Sequence, residues 1–200
     1  MLVFLFDRMF GEEELNQKID CNICKAKNCV EIITRTEIIP YFGEIMETVM
    51  ICEKCGFKHT DIIGLEQKEP SKYSLIVNKS NLNARVVKSQ SATIIIPELG
   101  LKVEPGAKSQ GYISNIEGVL NRFSDAIKTA LKWVEDSESE KNGIKILEKI
   151  EKIKFGDESA TIIIKDPFGQ SMIIHDDALK KELSKKELKD LKTGFITIEK

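Results

Sequence analysis

Four cysteines in two matched pairs constrain this chain more than any other feature. Cys21-x-x-Cys24 and Cys52-x-x-Cys55 are separated by twenty-seven residues. A Cys-x-x-Cys turn brings two thiolates within reach of one ion, and two such knuckles at the ends of a hairpin complete a tetrahedron of sulfurs. The pattern favours metal over redox or simply buried thiols, and structural Zn2+ over a rubredoxin-like iron centre. Lys25, Lys27, Lys54 and Lys58 flank the cysteines and would offset the negative charge of four thiolates. Gly56 follows the second pair and permits the positive φ that turns backbone amides toward sulfur. Lys25 holds the equivalent place in the first knuckle, which should be the less relaxed turn. Cys29, the fifth cysteine, stands at the start of a strand-like run, where a small buried hydrophobe is the commoner role.

The intervening segment reads knuckle, strand, turn, strand, knuckle. Residues 29–36 and 45–51 are rich in β-branched side chains, and the loop Ile39-Pro40-Tyr41-Phe42-Gly43 lies between them. Exposed, Pro40, Tyr41 and Phe42 would be anchors for a protein partner. Buried, they would cement the zinc unit to the rest of the chain.

Three parts follow: a lead-in or tail over residues 1–20, a zinc ribbon over 21–66, and a larger β domain over 67–200 joined through the polar Gln67 to Lys72. Strand-like runs occupy residues 73–77, 84–88 and 92–96. Past Pro105-Gly106 the periodicity changes. Ile116, Val119, Leu120, Phe123, Ile127, Ala130, Leu131 and Val134 recur every three or four residues, an amphipathic helix. A second helix is expected from Ile144 to Ile153, with residues 135–143 as the connection, so a helical hairpin spans about 114–154. Ser91-Ala92-Thr93-Ile94-Ile95-Ile96 recurs letter for letter as Ser159-Ala160-Thr161-Ile162-Ile163-Ile164, each copy running into a turn that ends in glycine. Internal duplication and coincidence in a strand-prone alphabet both remain open. Either way, a β-sandwich or barrel interrupted by the hairpin is expected. The tail from Asp177 to Leu191 reads as one or two short charged helices, with Ser184 and Glu187 spaced as a capping box. A last strand is expected at Phe195–Ile198.

Composition removes several function classes. Thirty Lys and Arg against thirty-two Asp and Glu leave a net charge of −2, no global field for a polyanion. No apolar run approaches the roughly 18 residues that span a bilayer. Leu2–Phe6 is too short for a signal-peptide core, and a cytoplasmic protein is expected. Two histidines, His59 and His175, leave little for acid-base or metal catalysis. His175-Asp176-Asp177 is half of a two-histidine, one-carboxylate site without its second histidine, and a loop ending in an Asp helix cap is the simpler reading. Neither a phosphate loop nor a Gly-x-Ser-x-Gly elbow is present. The chain does not read as an enzyme.

Taken together, Cys21-x-x-Cys24, Ile39-Pro40-Tyr41-Phe42-Gly43-Glu44, Cys52-x-x-Cys55-Gly56-Phe57-Lys58, Val86-Val87-Lys88-Ser89, Ile96-Pro97-Glu98-Leu99-Gly100-Leu101, Pro105-Gly106-Ala107, Glu117-Gly118-Val119-Leu120 and Asp166-Pro167-Phe168-Gly169-Gln170-Ser171 closely resemble the ZPR-type zinc-finger domain family. The match covers about residues 21–175. Eukaryotic members carry two such modules in tandem; with one, the chain resembles the archaeal form. The resemblance implies a mainly β fold with α, a four-cysteine zinc ribbon followed by a double-stranded β-helix domain with an inserted helical hairpin. It also implies binding: eukaryotic members bind translation elongation factor one-alpha, are implicated in its folding, and have been linked to receptor tyrosine kinases and nuclear complexes. Of these, the elongation-factor role is the one expected to transfer, as a folding or assembly factor. Asn22 and Lys25 depart from the family's Cys-Pro-x-Cys-Gly knuckle, which puts contacts specific to that turn in doubt. The competing readings are a metal-dependent enzyme in the β domain and a zinc-ribbon nucleic-acid binder.

Overall fold

The structure, a computed structural model, describes residues 17–41, 43–66, 68–106 and 109–194. Phe42, the lead-in before residue 17 and the strand expected at 195–198 lie outside the described residues. The chain divides into two compact units, 1–66 and 67–200.

In the first unit, β1 (Gln17–Ile19), β2 (Val30–Ile39), β3 (Gly43–Cys52) and β4 (Lys58–Gly64) form one antiparallel sheet in that order. The β2–β3 ladder runs unbroken from Val30 opposite Cys52 to Ile39 opposite Gly43. That register brings the first knuckle, which precedes β2, and the second, which follows β3, to the same end of the hairpin. The buried core here is small: Cys21, Cys29, Val30 and Cys52, with Ala26, Met50 and Phe57 against them. Three of its four fully buried members are cysteines, too little apolar surface to hold a unit of this size by itself.

The second unit is a jelly roll of two sheets. Its elements are β5 (Ser71–Val77), β6 (Arg85–Lys88), β7 (Thr93–Ile96), β8 (Leu101–Val103), β9 (Tyr112–Asn115), α1 (Ile116–Leu131), α2 (Ser137–Phe155), β10 (Ala160–Asp166), β11 (Met172–Ile174), β12 (Leu179–Glu182) and α3 (Lys185–Lys189). One sheet has the order β12-β5-β10-β7-β8, the other β11-β6-β9. Strand alternation supplies the core. Ala160, Ile162 and Ile164 of β10 point inward, as do Leu75 and Val77 of β5, while Ile76 between them faces out. Ile116, Val119, Leu120 and Phe123 of α1 and Ile150 and Ile153 of α2 close the same core. Asn115 caps α1, its side chain accepting from the Gly118 amide.

The two copies of Ser-Ala-Thr-Ile-Ile-Ile become neighbouring antiparallel strands, with Ile94 opposite Ile164. Their continuations then diverge. After Pro97–Leu99 the first copy returns as β8, paired with β7 in the same sheet. The second copy turns at Asp166–Gly169 and enters the other sheet as β11, paired with β6. Gly169 has φ 64°, and a Cβ there would run into the Glu69 carbonyl, so the crossing turn requires glycine.

Two local expectations are corrected. The second helix begins at Ser137 instead of Ile144, because Asp136 accepts from the Glu138 and Ser139 amides and starts a helix inside the polar stretch assigned to the connection. In the tail, Leu179–Glu182 is a strand on the edge of β5, and only Lys185–Lys189 is helical, opened by the expected Ser184–Glu187 capping box. His175-Asp176-Asp177 therefore leads into a strand, not a helix.

The inward alternation of β10 ends on Asp166, which is fully buried. Ser89 Oγ and Ser171 Oγ donate to its Oδ2 at 2.8 and 2.6 Å, and Ser91 Oγ and the Phe168 amide to its Oδ1 at 2.9 Å each. This carboxyl ties the start of the first repeat copy to the turn that ends the second.

Candidate metal centre

Each knuckle is closed by the same pair of backbone hydrogen bonds. Cys21 N donates to Ala26 O at 2.9 Å and Lys25 N to Cys21 O at 2.9 Å; Cys52 N donates to Phe57 O at 2.8 Å and Gly56 N to Cys52 O at 3.0 Å. The turns so formed project their sulfurs toward one point. The thiols of Cys21, Cys24, Cys52 and Cys55 all lie within 4.8 Å of one another, with Sγ–Sγ separations of 3.8 Å for Cys21–Cys55 and Cys24–Cys52. With Zn–S bonds of about 2.3 Å, the edge of a tetrahedron of sulfurs is about 3.8 Å. Two edges already have that length, so the donor set fits zinc, and four sulfurs leave no position for substrate. Among the described residues this quartet is the one group of three or more His, Cys, Asp or Glu whose donor atoms converge.

Electrostatics within the quartet make the same point. The Cys55 and Lys54 amides, aimed at Cys52, bring its thiol down to about 6. The Cys24 amide lowers Cys21 in the same way. Cys55 is pushed up to about 12: the Phe57 amide opposes the shift, while the Cys52 sulfur, burial and the other two thiols drive it. Thiolates this close repel one another, so the last protons leave only when a cation arrives.

Cys29 belongs to the same buried core but not to the donor set. Its Sγ lies 3.2 Å from Ala26 O and 3.5 Å from Cys52 Sγ, and burial pushes its thiol up to about 11. His59 sits exposed on β4, stacked on Phe57 with ring centroids 6.4 Å apart. His175 is bonded locally, its Nδ1 accepting from the Asp177 amide at 3.1 Å.

The loop at the other end of the β2–β3 hairpin is well removed from the sulfurs. Pro40 and Tyr41 are exposed, and Tyr41 adopts φ 75°. Ile38 and Leu65, which no motif singled out, are also exposed at this end, Ile38 by 71%. Their signal in the sequence is faint, since Ile and Leu are read by default as core residues.

A profile of the ZPR1 jelly-roll domain matches residues 80–192. The chain is 44% identical to a ZPR1-like protein of Methanocaldococcus jannaschii over 92% of this chain and 93% of that protein. The chain belongs to the ZPR1 family. It is 40% identical to a ZPR1-like protein of Pyrococcus horikoshii over 94% of this chain and 90% of that one, and it shares the single-module form of both. It is 33% identical over 68% of its length to a Schizosaccharomyces pombe protein named a zinc finger chaperone, of which the match covers 30%. With the converging thiols, family membership makes Zn2+ the cofactor of this ribbon, in a structural role. The name of the Schizosaccharomyces pombe relative speaks of a zinc finger and a chaperone, not of an enzyme.

Proposed function

We propose that Cys21, Cys24, Cys52 and Cys55 hold one structural zinc ion, and that the ribbon it fixes is a protein-binding module of a cytoplasmic folding or assembly factor. The partner we propose is translation elongation factor one-alpha, from the family resemblance. The observation that carries the protein-binding reading is the apolar end of the hairpin, where Ile38, Tyr41 and Leu65 are all exposed. Isolated exposed hydrophobes are ordinary, but three at one end of a hairpin, Ile38 opposite Glu44, Leu65 bonded through its amide to Glu44 O and Tyr41 in the loop, form the kind of surface a partner covers. Tyr41 adds strain to exposure. A left-handed backbone at an aromatic residue is costly, and such strain collects at ligand clamps and switch regions.

Zinc acts here by shape alone. It closes the knuckle end of a sheet that has almost no core of its own, so the tip is presented on a rigid ladder. Calorimetric titration of the zinc-loaded protein against elongation factor one-alpha, in GDP-bound, GTP-bound and nucleotide-free forms, tests the reading. Submicromolar binding to at least one form, weakened by Tyr41→Ala or Ile38→Asp and abolished by Cys55→Ser, supports it. Full affinity in a zinc-free variant defeats the mechanism, and no binding to any form defeats the partner.

A further inference from the structure

A second site lies in the β domain, built from residues that the zinc ribbon does not involve. Lys88 ends β6, directly opposite Tyr112 of β9. It is 96% buried, rare for lysine unless an acid pairs with it. Its Nζ donates to Ser89 O at 2.9 Å and approaches Ser109 Oγ at 3.4 Å, both neutral, and it makes no ion pair. The Arg122 guanidinium, from the face of α1 that carries Val119 and Phe123, stacks over the Tyr112 ring at 4.2 Å. Lys88 Nζ lies 5.9 Å from the centroid of that same ring. Two cations therefore converge on one aromatic side chain, and neither has a carboxylate within ion-pair distance among the described residues.

Both cations line a cavity of about 410 Å³. Gln110 and Tyr112 supply further polar atoms to its wall, Ile94, Val103, Val119 and Phe123 supply the apolar part, and the lining contains no Asp or Glu. Burying a charge without a partner is expensive, and bringing a second like charge to the same spot adds to the cost. Burial and Arg122 both act to lower the pKa of Lys88, while Asp166 acts from beyond ion-pair range to raise it. Asp166 cannot do more, because both of its oxygens already accept two hydrogen bonds. An anion bound in the cavity would supply that counter-charge. A volume of this size suits a small organic molecule, and the mixed lining suits one with an apolar body and a charged end.

We propose that this cavity binds a small organic anion, its carboxylate or phosphate group held between the Lys88 ammonium and the Arg122 guanidinium and its apolar body lying against Ile94, Val103 and Phe123. Arg122 can meet either group through two parallel hydrogen bonds, and Lys88 presents a point charge with a donor to spare.

The test is titration of the zinc-loaded full chain, at constant ionic strength, with benzoate, phenyl phosphate, inorganic phosphate and the neutral benzamide, followed by calorimetry and thermal shift. Benzoate or phenyl phosphate should bind saturably and raise the melting temperature of the β domain. Whichever binds tighter assigns the charged group. Benzamide should bind at least about tenfold more weakly, as expected when a charge-assisted contact is lost. Inorganic phosphate, without an apolar body, should also be weaker than phenyl phosphate. Lys88→Met keeps the length of the side chain and should cost about tenfold or more in affinity. It should leave the melting temperature of the free protein unchanged or higher, which a lysine kept for structure would not do. Arg122→Gln, at an exposed position that does not endanger folding, should weaken binding in the same direction. The proposal is overturned if neither aromatic anion binds up to about 10 mM, a range that admits even the weakest specific contacts. It also fails if benzamide binds as well as benzoate, or if anion affinity is indifferent to both substitutions.

Discussion

Lys25 and Gly56 occupy the same position in the two zinc knuckles and share the same left-handed backbone, with φ of 60° and 72°. Each donates its amide to the carbonyl of the first cysteine of its knuckle. Glycine adopts this conformation freely, whereas lysine carries the clash of Cβ with the following carbonyl, about 1 kcal/mol. A Cβ on Gly56 would meet nothing within 4 Å, so substitution there probes the backbone alone. Because the ribbon folds as it binds metal, backbone cost is read as zinc affinity. Gly56→Ala is expected to weaken zinc binding roughly fivefold, equivalent to about 1 kcal/mol. Lys25→Gly should move affinity the other way by a smaller factor, since glycine also gains entropy in the unfolded chain. Competition against a chelator of known affinity measures both, and shifts of the same sign would contradict the equivalence of the two turns.

Zinc removal should act on one unit only. Cys21, Cys29, Val30 and Cys52 form the buried cluster at the metal end of the ribbon, with Ile45 the one further buried hydrophobe among its described residues, while the β domain has an extensive aliphatic core of its own. Chelation is expected to abolish hydrogen-exchange protection across the β2–β3 ladder and to leave protection in β5, β7 and β10 intact. Loss of protection in both units together would mean that the β domain depends on the metal.

Asp166 should be the most sensitive polar position in the β domain. Replacing it with alanine leaves the Ser89, Ser91 and Ser171 hydroxyls and the Phe168 amide without their acceptor in a fully buried setting. The expected cost is about 3 kcal/mol, seen as a fall on the order of 10 °C in melting temperature. Ser91→Ala removes a single donor and should cost about 1 kcal/mol. Thermal denaturation of the two variants decides it; an Asp166→Ala variant as stable as the parent would show that the network is not structural.

What the sequence made legible follows from how local each signal is. The metal quartet could be read in full, because a Cys-x-x-Cys turn determines its own geometry and a hairpin has few ways to join two of them. The repeat identified β7 and β10 as strands, yet nothing in six identical residues says that one continues into its own sheet and the other crosses to β11. That choice is made by the turn at Gly169 and by Asp166, whose serine partners lie 75 or more residues back in two of three cases. Leu179–Glu182 was misread as helix because all four side chains are exposed and charged or isolated; its strand character comes from the backbone edge of β5, which no local pattern reports. Lys88 stands in the sequence only as part of the Val86–Ser89 motif, with no role attached, and Tyr112 and Arg122 belong to no motif; only the fold brings the three to one cavity.

Glu187 resolves a repulsion built into the five-stranded sheet. Lys72 of β5 and Lys165 of β10 are direct cross-strand partners, an arrangement that like charges disfavour. Glu187 Oε1 from α3 accepts from Lys165 Nζ at 2.9 Å and from Lys72 Nζ at 3.2 Å, while Oε2 accepts from the Ser184 amide in the capping box. The Lys165 ammonium first, then the Ser184 amide and Lys72, hold this carboxyl down to about 2 from its ordinary 4.5. A carboxyl whose pKa is lower folded than unfolded stabilises fully above the unfolded value, and that contribution disappears as pH falls through the folded one. The window is therefore pH 4.5 down to 2. The group is partly exposed, so solvent screens the interaction and its contribution is set at about 1 kcal/mol. Glu187→Gln should lower stability by that amount at pH 7 and flatten the loss of stability between pH 4.5 and 2, since the variant has no carboxyl left to protonate. Replacing Lys72 with glutamine in the Glu187→Gln background should restore part of the loss, because one of the two facing charges is then gone. Denaturant titrations of the parent, the single and the double variant across this pH range test the assignment; a Glu187→Gln variant with the parent's acid profile would place the acid sensitivity elsewhere.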